Sequence, residues 1–199
     1  MNKKRIILGS ASPRRRELLA QIGVEFEVLV SNKEETYTST EPKEIVKELA
    51  QMKAENVASE AEETSGQKLS DTIVIGADTI VVRDHQILGK PNDEDDAFAM
   101  IQSLQGRTHE VYTGVAILSY DAEGKCQVIS HAVETKVRVH EMSEQEIRAY
   151  IATGDPMDKA GSYGIQGCFA AYVDGIDGDY YNVVGLPVSY LYQQLKELC

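Results

Sequence analysis

The sequence predicts an α/β fold, because apolar strand-like runs alternate along the chain with helices that carry one apolar face. The run Ile6–Leu8 has the character of a buried strand, and residues that start a helix follow it at once. A second run, Ile73–Val82, is apolar almost throughout, and two long strand-like segments, 109–118 and 126–140, flank a DAEG turn. The order of these elements is compatible with an α/β fold but does not by itself fix the sheet.

Size, composition and charge exclude several classes of protein. The 199 residues fit one domain, either compact or built of two small lobes, and no apolar run approaches the roughly 20 residues needed to cross a bilayer. The apolar part of the N-terminus is too short for a signal peptide, so we expect a cytoplasmic protein. The three cysteines form no CxxC, and a net charge of -12 disfavours binding to nucleic acid or anionic membranes.

Positive charge is nevertheless concentrated at the N-terminus, where the first sixteen residues hold six basic side chains and no acid. Ser12 is a good N-cap and Pro13 suits the first helical position, which places Arg14, Arg15 and Arg16 in the first turn of a helix. Cations at that end of the helix dipole are disfavoured by about 0.3–1 kcal/mol each. Three solvated arginines are one interpretation. The order of strand, small-residue loop, serine, proline and arginine favours phosphate binding instead.

A strand at Phe26–Val30 and a helix from Pro42 to about Ala58 are predicted next, followed by a polar segment, 59–70, that is a loop or a frayed helix end. Lys53 falls on the apolar stripe of this helix. A lysine there most often extends its ammonium group to water, so the position alone indicates no function.

An acidic residue interrupts the next apolar stretch. Residues 71–91 predict a strand, a break at Gly76-Ala77, a second strand, a turn at Asp84-His85 and a short strand. Asp78 lies within the apolar part, where a carboxylate is costly unless cations or a metal meet it, so we favour a functional role over a structural hydrogen bond. Lys90 follows in a GKP sequence, which alone is only a weak indication of a functional site and is also typical of a turn.

The remaining elements carry recognisable start and stop signals. The acids of 93–96 open a helix that ends at Gly106, and a capping box at Ser143 opens another that stops near Gly154. The glycine-rich stretch 158–167 could let the backbone approach a ligand closely. We further expect a strand at 169–173, a turn at 174–181 and a final helix from Pro187.

Five motifs in order resemble the Maf family of nucleoside triphosphate pyrophosphatases. They extend over nearly the whole chain and read SASPRRRELL (10–19), IGADTIVV (75–82), LGKP (88–91), DKAGSYGIQG (158–167) and VVGLP (183–187). The resemblance implies a fold like that of the inosine triphosphate pyrophosphatases, with a curved mixed sheet flanked by helices and a central cleft between two lobes. One domain would then span residues 1–199, and a homodimer is possible.

The resemblance also implies hydrolysis between the α and β phosphates of a nucleotide. Asp78 would be the general base, and Glu35 with Asp78 would hold a divalent cation, Mg²⁺ or Mn²⁺. Phosphate binding would fall to Ser12, Arg14, Arg15, Lys53 and Lys90.

Three positions match the branch of the family that acts on dTTP and UTP rather than on 7-methyl-GTP: Arg14 in SPRR, Thr79 in GADT and Gln166 in GIQG. A glutamine amide supplies an acceptor and two donors suited to a pyrimidine edge. Two alternatives remain, a purine-directed pyrophosphatase and a nucleotide-binding regulator of cell division that does not depend on hydrolysis. A Walker-type phosphate site is disfavoured, because GxxxxGK[ST] is missing.

Overall fold

The computed structural model describes residues 4–199, so Lys3, one of the six basic residues near the N-terminus, lies outside the described chain. The strands are β1 (Arg5–Gly9), β2 (Glu27–Val28), β3 (Thr72–Arg83), β4 (Gln86–Leu88), β5 (Thr108–Tyr120), β6 (Cys126–Val139) and β7 (Val173–Asp177). The α-helices are α1 (Pro13–Gln21), α2 (Pro42–Ser65), α3 (Glu94–Leu104), α4 (Glu144–Ile151), α5 (Tyr180–Val184) and α6 (Val188–Leu198). Three short 3₁₀ helices span Asp155–Asp158, Ala160–Ser162 and Cys168–Tyr172.

The seven strands form one mixed sheet. Its order is β2-β1-β3-β5-β6-β7, and β4 pairs with β3 off this path. β1 runs parallel to β2 and β3, whereas β4 is antiparallel to β3 and β7 is antiparallel to β6. The predicted α/β class with a mixed sheet and flanking helices is therefore confirmed.

The chain divides into two compact units, which we call the first and second unit. The first unit contains residues up to Asp78, residues 113–133 and residues 185–199. The second unit contains residues 79–112 and 134–184.

The core of the first unit depends on a close approach of α2 to the sheet. A Cβ atom on Gly76 of β3 would lie 2.2 Å from the carbonyl oxygen of Ala50, and one on Gly114 of β5 would lie 2.0 Å from that of Val46. Only glycine fits at such distances. The break predicted at Gly76-Ala77 is accordingly wrong, because β3 continues through both residues and the glycine makes room for a helix.

The core of the second unit is built on aromatic rings. Phe169 is fully buried. The ring centroids of Tyr150 and Tyr163 lie 5.1 Å and 4.6 Å from the ring centroid of Phe169. His109, also fully buried, meets the Tyr163 ring edge-on at 5.3 Å.

Several predicted boundaries differ from those of the structure. α2 continues to Ser65 and stops where Gly66 adopts a left-handed conformation with φ 67°. A 3₁₀ helix occupies 168–172, where a strand was predicted, and β7 lies in the predicted turn 174–181. The pairing with β6 creates β7, and a pairing between distant segments is not encoded in local sequence.

No helix within residues 4–199 is both long enough and apolar enough to cross a membrane.

Candidate active site

The basic cluster lies where β1 passes into α1. Pro13 is the first helical residue and Ser12 occupies the N-cap position with an extended backbone, as the sequence predicts. The hydroxyl of Ser12 makes no capping hydrogen bond, and the first turn contains no acid. The amino end of α1 therefore presents a helix dipole, a serine and arginines, which is a favourable arrangement for an anion.

Arg15 is held in place by neutral groups. Its Nε donates to the carbonyl oxygen of Gly185 over 2.8 Å, and its Nη1 donates to Oγ of the buried Ser10 over 3.3 Å. Ser10 Oγ also accepts from the backbone N–H of Ser12. Burial lowers the pKa of Arg15; the charge of Asp78 opposes this effect and the charge of Arg14 adds to it. Arginine remains protonated at physiological pH, so the guanidinium is an oriented positive charge.

Sequence reasoning missed both supports of Arg15. Ser10 looked like part of a small-residue loop, and Gly185 lies 170 positions further along the chain in the VVGLP motif. Only the fold brings these two groups to the arginine.

A second cluster joins the three residues Glu35, Lys53 and Asp78. The Lys53 ammonium donates to Asp78 Oδ1 over 2.5 Å and lies 3.2 Å from Glu35 Oε2. The Asp78 and Lys53 side chains are only 15% and 21% exposed, whereas that of Glu35 is 40% exposed. An ion pair with this burial is screened much less than one at the surface.

Local structure explains why Lys53 reaches Asp78. Successive side chains of a strand alternate between faces, so Asp78 lies on the same face of β3 as Gly76. Gly76 is a point where α2 approaches β3 closely, through Ala50. Lys53 lies about one turn further along α2, on the same side of the helix as Ala50. The lysine is thus directed to the carboxylate and not to bulk water.

The donor set of this cluster fits a divalent cation that arrives with a phosphate ligand. Both carboxylates contact the same ammonium group, so their oxygens lie close together. Within the described residues, no group of three His, Cys, Asp or Glu side chains could hold a metal by itself. Mg²⁺ is usually bound by one or two carboxylates, waters and substrate phosphates, which is what the site would offer.

The other predicted site residues belong to the second unit. Thr79 is half-buried and directly follows Asp78 on β3, and Lys90 is exposed just after β4. Gln166 is exposed in the glycine-rich stretch, whose Gly161 N–H donates to the carbonyl oxygen of Gly89 over 3.0 Å. This bond fixes the start of the glycine-rich stretch beside the backbone that precedes Lys90.

The structure therefore separates the predicted site residues into two sets. Six belong to the first unit and three to the second; in chain order they are Ser12, Arg14, Arg15, Glu35, Lys53 and Asp78, then Thr79, Lys90 and Gln166. Within the first set, Glu35, Lys53 and Asp78 are in direct contact.

An α/β protein that combines an arginine-bearing helix N-terminus with a carboxylate–lysine cluster is of the class that handles phosphorylated ligands. Residues 5–198 match the family described as Maf-like protein, and the chain belongs to the Maf family.

Curated relatives are similar over nearly their full length. A protein of Agathobacter rectalis named dTTP/UTP pyrophosphatase is 52% identical over 97% of this chain and 97% of the relative. A protein of Lachnoclostridium phytofermentans with the same name is 48% identical over 96% of this chain and 94% of the relative. Among solved structures, the Staphylococcus aureus Ham1 protein overlaps 67% of this chain and 72% of its own, with 14% identity and a TM-score of 0.40.

Proposed function

We propose that this protein is a nucleoside triphosphate pyrophosphatase that hydrolyses dTTP and UTP to the monophosphate and pyrophosphate. Membership of the Maf family and relatives near 50% identity that are named for this activity support the reaction. The structural observation that carries the proposal is the Lys53 ammonium held between Asp78 and Glu35.

Phosphate binding begins at the amino end of α1. Backbone N–H groups of the first helical turn, the Ser12 hydroxyl and the guanidinium groups of Arg14 and Arg15 bind phosphate oxygens there. Lys53 and Lys90 add positive charge, which a triphosphate requires in a protein of net charge -12.

Asp78 is the group proposed to accept the proton of the attacking water. Its Oδ1 is bonded to Lys53, and that ammonium can instead bond a phosphate oxygen while it keeps its contact with Glu35. The exchange frees Oδ1 to orient a water molecule and remove its proton. The water oxygen then bonds to the α phosphorus as the bond from that phosphorus to the bridging oxygen breaks, and the β and γ phosphates leave as pyrophosphate.

Glu35 and Asp78 would hold the divalent cation, Mg²⁺ or Mn²⁺. When bound, such an ion offsets charge on the phosphate oxygens and lowers the pKa of a coordinated water.

Base recognition is assigned to Thr79 and Gln166 in the second unit. The exposed Gln166 amide can donate to and accept from the edge of a uracil or thymine ring. The proposal includes a single domain of residues 1–199 whose two units serve one nucleotide. It also includes a cytoplasmic location, a possible homodimer and no binding to nucleic acid.

A panel of nucleotides tests the proposal. We expect kcat/KM, measured by pyrophosphate release with Mg²⁺, to be highest for dTTP and UTP and at least tenfold lower for GTP, since a site built to hydrogen-bond one base leaves polar groups unpaired with another. A higher value for GTP would make the protein a purine-directed enzyme. Binding of dTTP without any turnover would make it a nucleotide-binding regulator.

A further inference from the structure

Gln166 is exposed, as are Gly167 and Cys168 directly after it. This exposed stretch lies between Ile165, which is 7% exposed, and Phe169, which is fully buried. The backbone N–H of Gly167 donates to the carbonyl oxygen of Gly164 over 3.3 Å, so Gln166 lies in a tight turn. A side-chain amide that recognises a base needs a fixed backbone. The hydrogen bond from Gly167 to Gly164 is long, so it does not fix the turn by itself.

The N–H of Gly164, at the start of this turn, has one specific side-chain acceptor. It donates to the hydroxyl of Tyr150 over 3.1 Å. Tyr150 lies on α4 and is 3% exposed, and its hydroxyl donates in turn to Asp155 Oδ2 over 2.6 Å. One buried hydroxyl thus connects the turn to the segment that follows α4.

The acceptor of the Tyr150 hydroxyl is itself fixed by a lysine. The Lys159 ammonium donates to Asp155 Oδ1 over 3.0 Å and to the Asp155 carbonyl oxygen over 2.7 Å. Lys159 also donates to Asp158. Burial raises the pKa of Asp155, but the Tyr150 hydroxyl and the Lys159 ammonium outweigh it and leave that pKa below its usual value.

The two glycines of the turn fit against this network. A Cβ atom on Gly164 would lie 2.7 Å from Lys159 Cε, and one on Gly167 would lie 3.2 Å from Asp155 Oδ2. Both ends of the turn therefore rest on the same lysine–aspartate pair, and the Tyr150 hydroxyl is the group that bonds the turn directly.

We propose that Tyr150 is a positioning residue for base selection, because its hydroxyl holds the turn that presents Gln166. This inference rests on the proposed function only in assigning base recognition to Gln166. Tyr150 touches no reacting atom. Its effect is expected in the choice between nucleotides and not in the chemical step.

The first measurement is kinetic. We expect Tyr150→Phe to lower the ratio of kcat/KM for UTP to kcat/KM for GTP by about threefold to tenfold, the usual worth of one hydrogen bond. The value of kcat for UTP should change by a smaller factor than this ratio does. Tyr192→Phe removes the hydroxyl of an exposed tyrosine on α6 and should leave the ratio unchanged. An unchanged ratio in Tyr150→Phe, or an equal loss of kcat for both nucleotides, overturns the proposal.

A double variant separates positioning from a general loss of structure. If Tyr150 acts through Gln166, then adding Tyr150→Phe to Gln166→Ala lowers the ratio no further. The same factor in both backgrounds would mean that the tyrosine acts independently, which contradicts the proposal.

Hydrogen exchange gives a readout that needs no nucleotide. We expect the amide of Gly164 to exchange at least threefold faster in Tyr150→Phe, because its acceptor is gone, and to stay protected in Tyr192→Phe. Unchanged exchange of the Gly164 amide in Tyr150→Phe overturns the proposal, even if the parent protein proves to hydrolyse nothing. If exchange is faster in Tyr150→Phe but the parent shows no nucleotide preference, only the proposed function is refuted. Should Tyr150→Phe fail to fold, Asp155→Asn, which keeps the hydroxyl but weakens its anchor, replaces it in both measurements with the same expected directions.

Discussion

The two units hold their functional groups by different physical means. In the first unit, Lys53 lies between the carboxylates of Asp78 and Glu35, so these three groups position one another by charge. In the second unit, Gln166 is presented by a turn that a tyrosine hydroxyl and packed glycines hold in place.

The difference indicates what each unit can do. Ion pairs can exchange one partner for a phosphate, so the first unit is suited to bind and cleave the part that all nucleoside triphosphates share. A turn fixed by hydrogen bonds keeps one shape, so the second unit is suited to distinguish one base from another. Substitutions in the first unit should therefore affect all nucleotides alike, and substitutions around Gln166 should change the ratio between nucleotides.

The largest expected effect comes from the proposed base. Asp78→Asn preserves shape but cannot accept the proton of water, so kcat for UTP should fall by about 100-fold or more while nucleotide binding is retained. Pyrophosphate release and equilibrium binding measure the two quantities. Glu44→Gln, which changes an exposed carboxylate on α2, is the matched control. A near-normal kcat in Asp78→Asn would remove Asp78 from the role of base.

A smaller effect is expected for the arginine end. Arg14→Ala should raise KM about tenfold for UTP and GTP alike, because a charge-assisted hydrogen bond to phosphate is lost. Arg16→Ala, in the same helical turn but exposed, should leave KM unchanged. If the KM of Arg14→Ala stays within about twofold of the parent value, Arg14 is a solvated surface residue.

Gln166→Ala should act on selection and not on cleavage. We expect the ratio of kcat/KM for UTP to that for GTP to fall about tenfold, since the base loses an amide partner. Steady-state kinetics with the two nucleotides measure this ratio. Should it stay constant, the base is recognised by other residues and the division of roles between the units fails.

The last prediction concerns stability, with no change of activity expected. It involves the neutral pair His109 and Tyr163, and Tyr163 lies in the glycine-rich stretch of the second unit. Burial lowers the pKa of His109 to about 4, and its Nε2 lies 2.7 Å from the Tyr163 hydroxyl. The unfolded chain, with a histidine pKa near 6.5, binds this proton first. The contribution of His109 to stability is therefore complete above pH 6.5 and is lost as the pH falls toward 4, by up to about 3 kcal/mol.

Denaturant unfolding at a series of pH values checks this expectation. His109→Gln should lose less stability than the parent between pH 6.5 and 4, whereas His140→Gln, which replaces an exposed histidine, should retain the acid-side loss. Parallel curves for His109→Gln and the parent would show that the buried ring is not held neutral.

The sequence predicted those parts of the molecule that depend on neighbouring residues. The helix start at Ser12 and Pro13, the turn at Asp84-His85 and the capping box at Ser143 are local signals, and the structure contains all three. The unusual position of Asp78 in an apolar strand also pointed to a charged partner.

The remaining features depend on contacts between distant residues. The position of Lys53 alone indicated no function and only the family resemblance assigned it to phosphate; its contact with Asp78 depends on the close approach of α2 at Gly76. No local signal in the sequence distinguishes Tyr150, and its contact with Gly164 arises only because the chain returns to α4. No periodicity or spacing in the sequence carries such information.

Phosphorus NMR of UTP incubated with the protein and Mg²⁺ tests the central claim most directly. We expect UMP and pyrophosphate to appear in equal amounts, and neither to appear with Asp78→Asn on the same timescale. The appearance of UDP and orthophosphate would place the cut at the wrong bond, and UTP that remains intact would show that these charged groups do not cleave it.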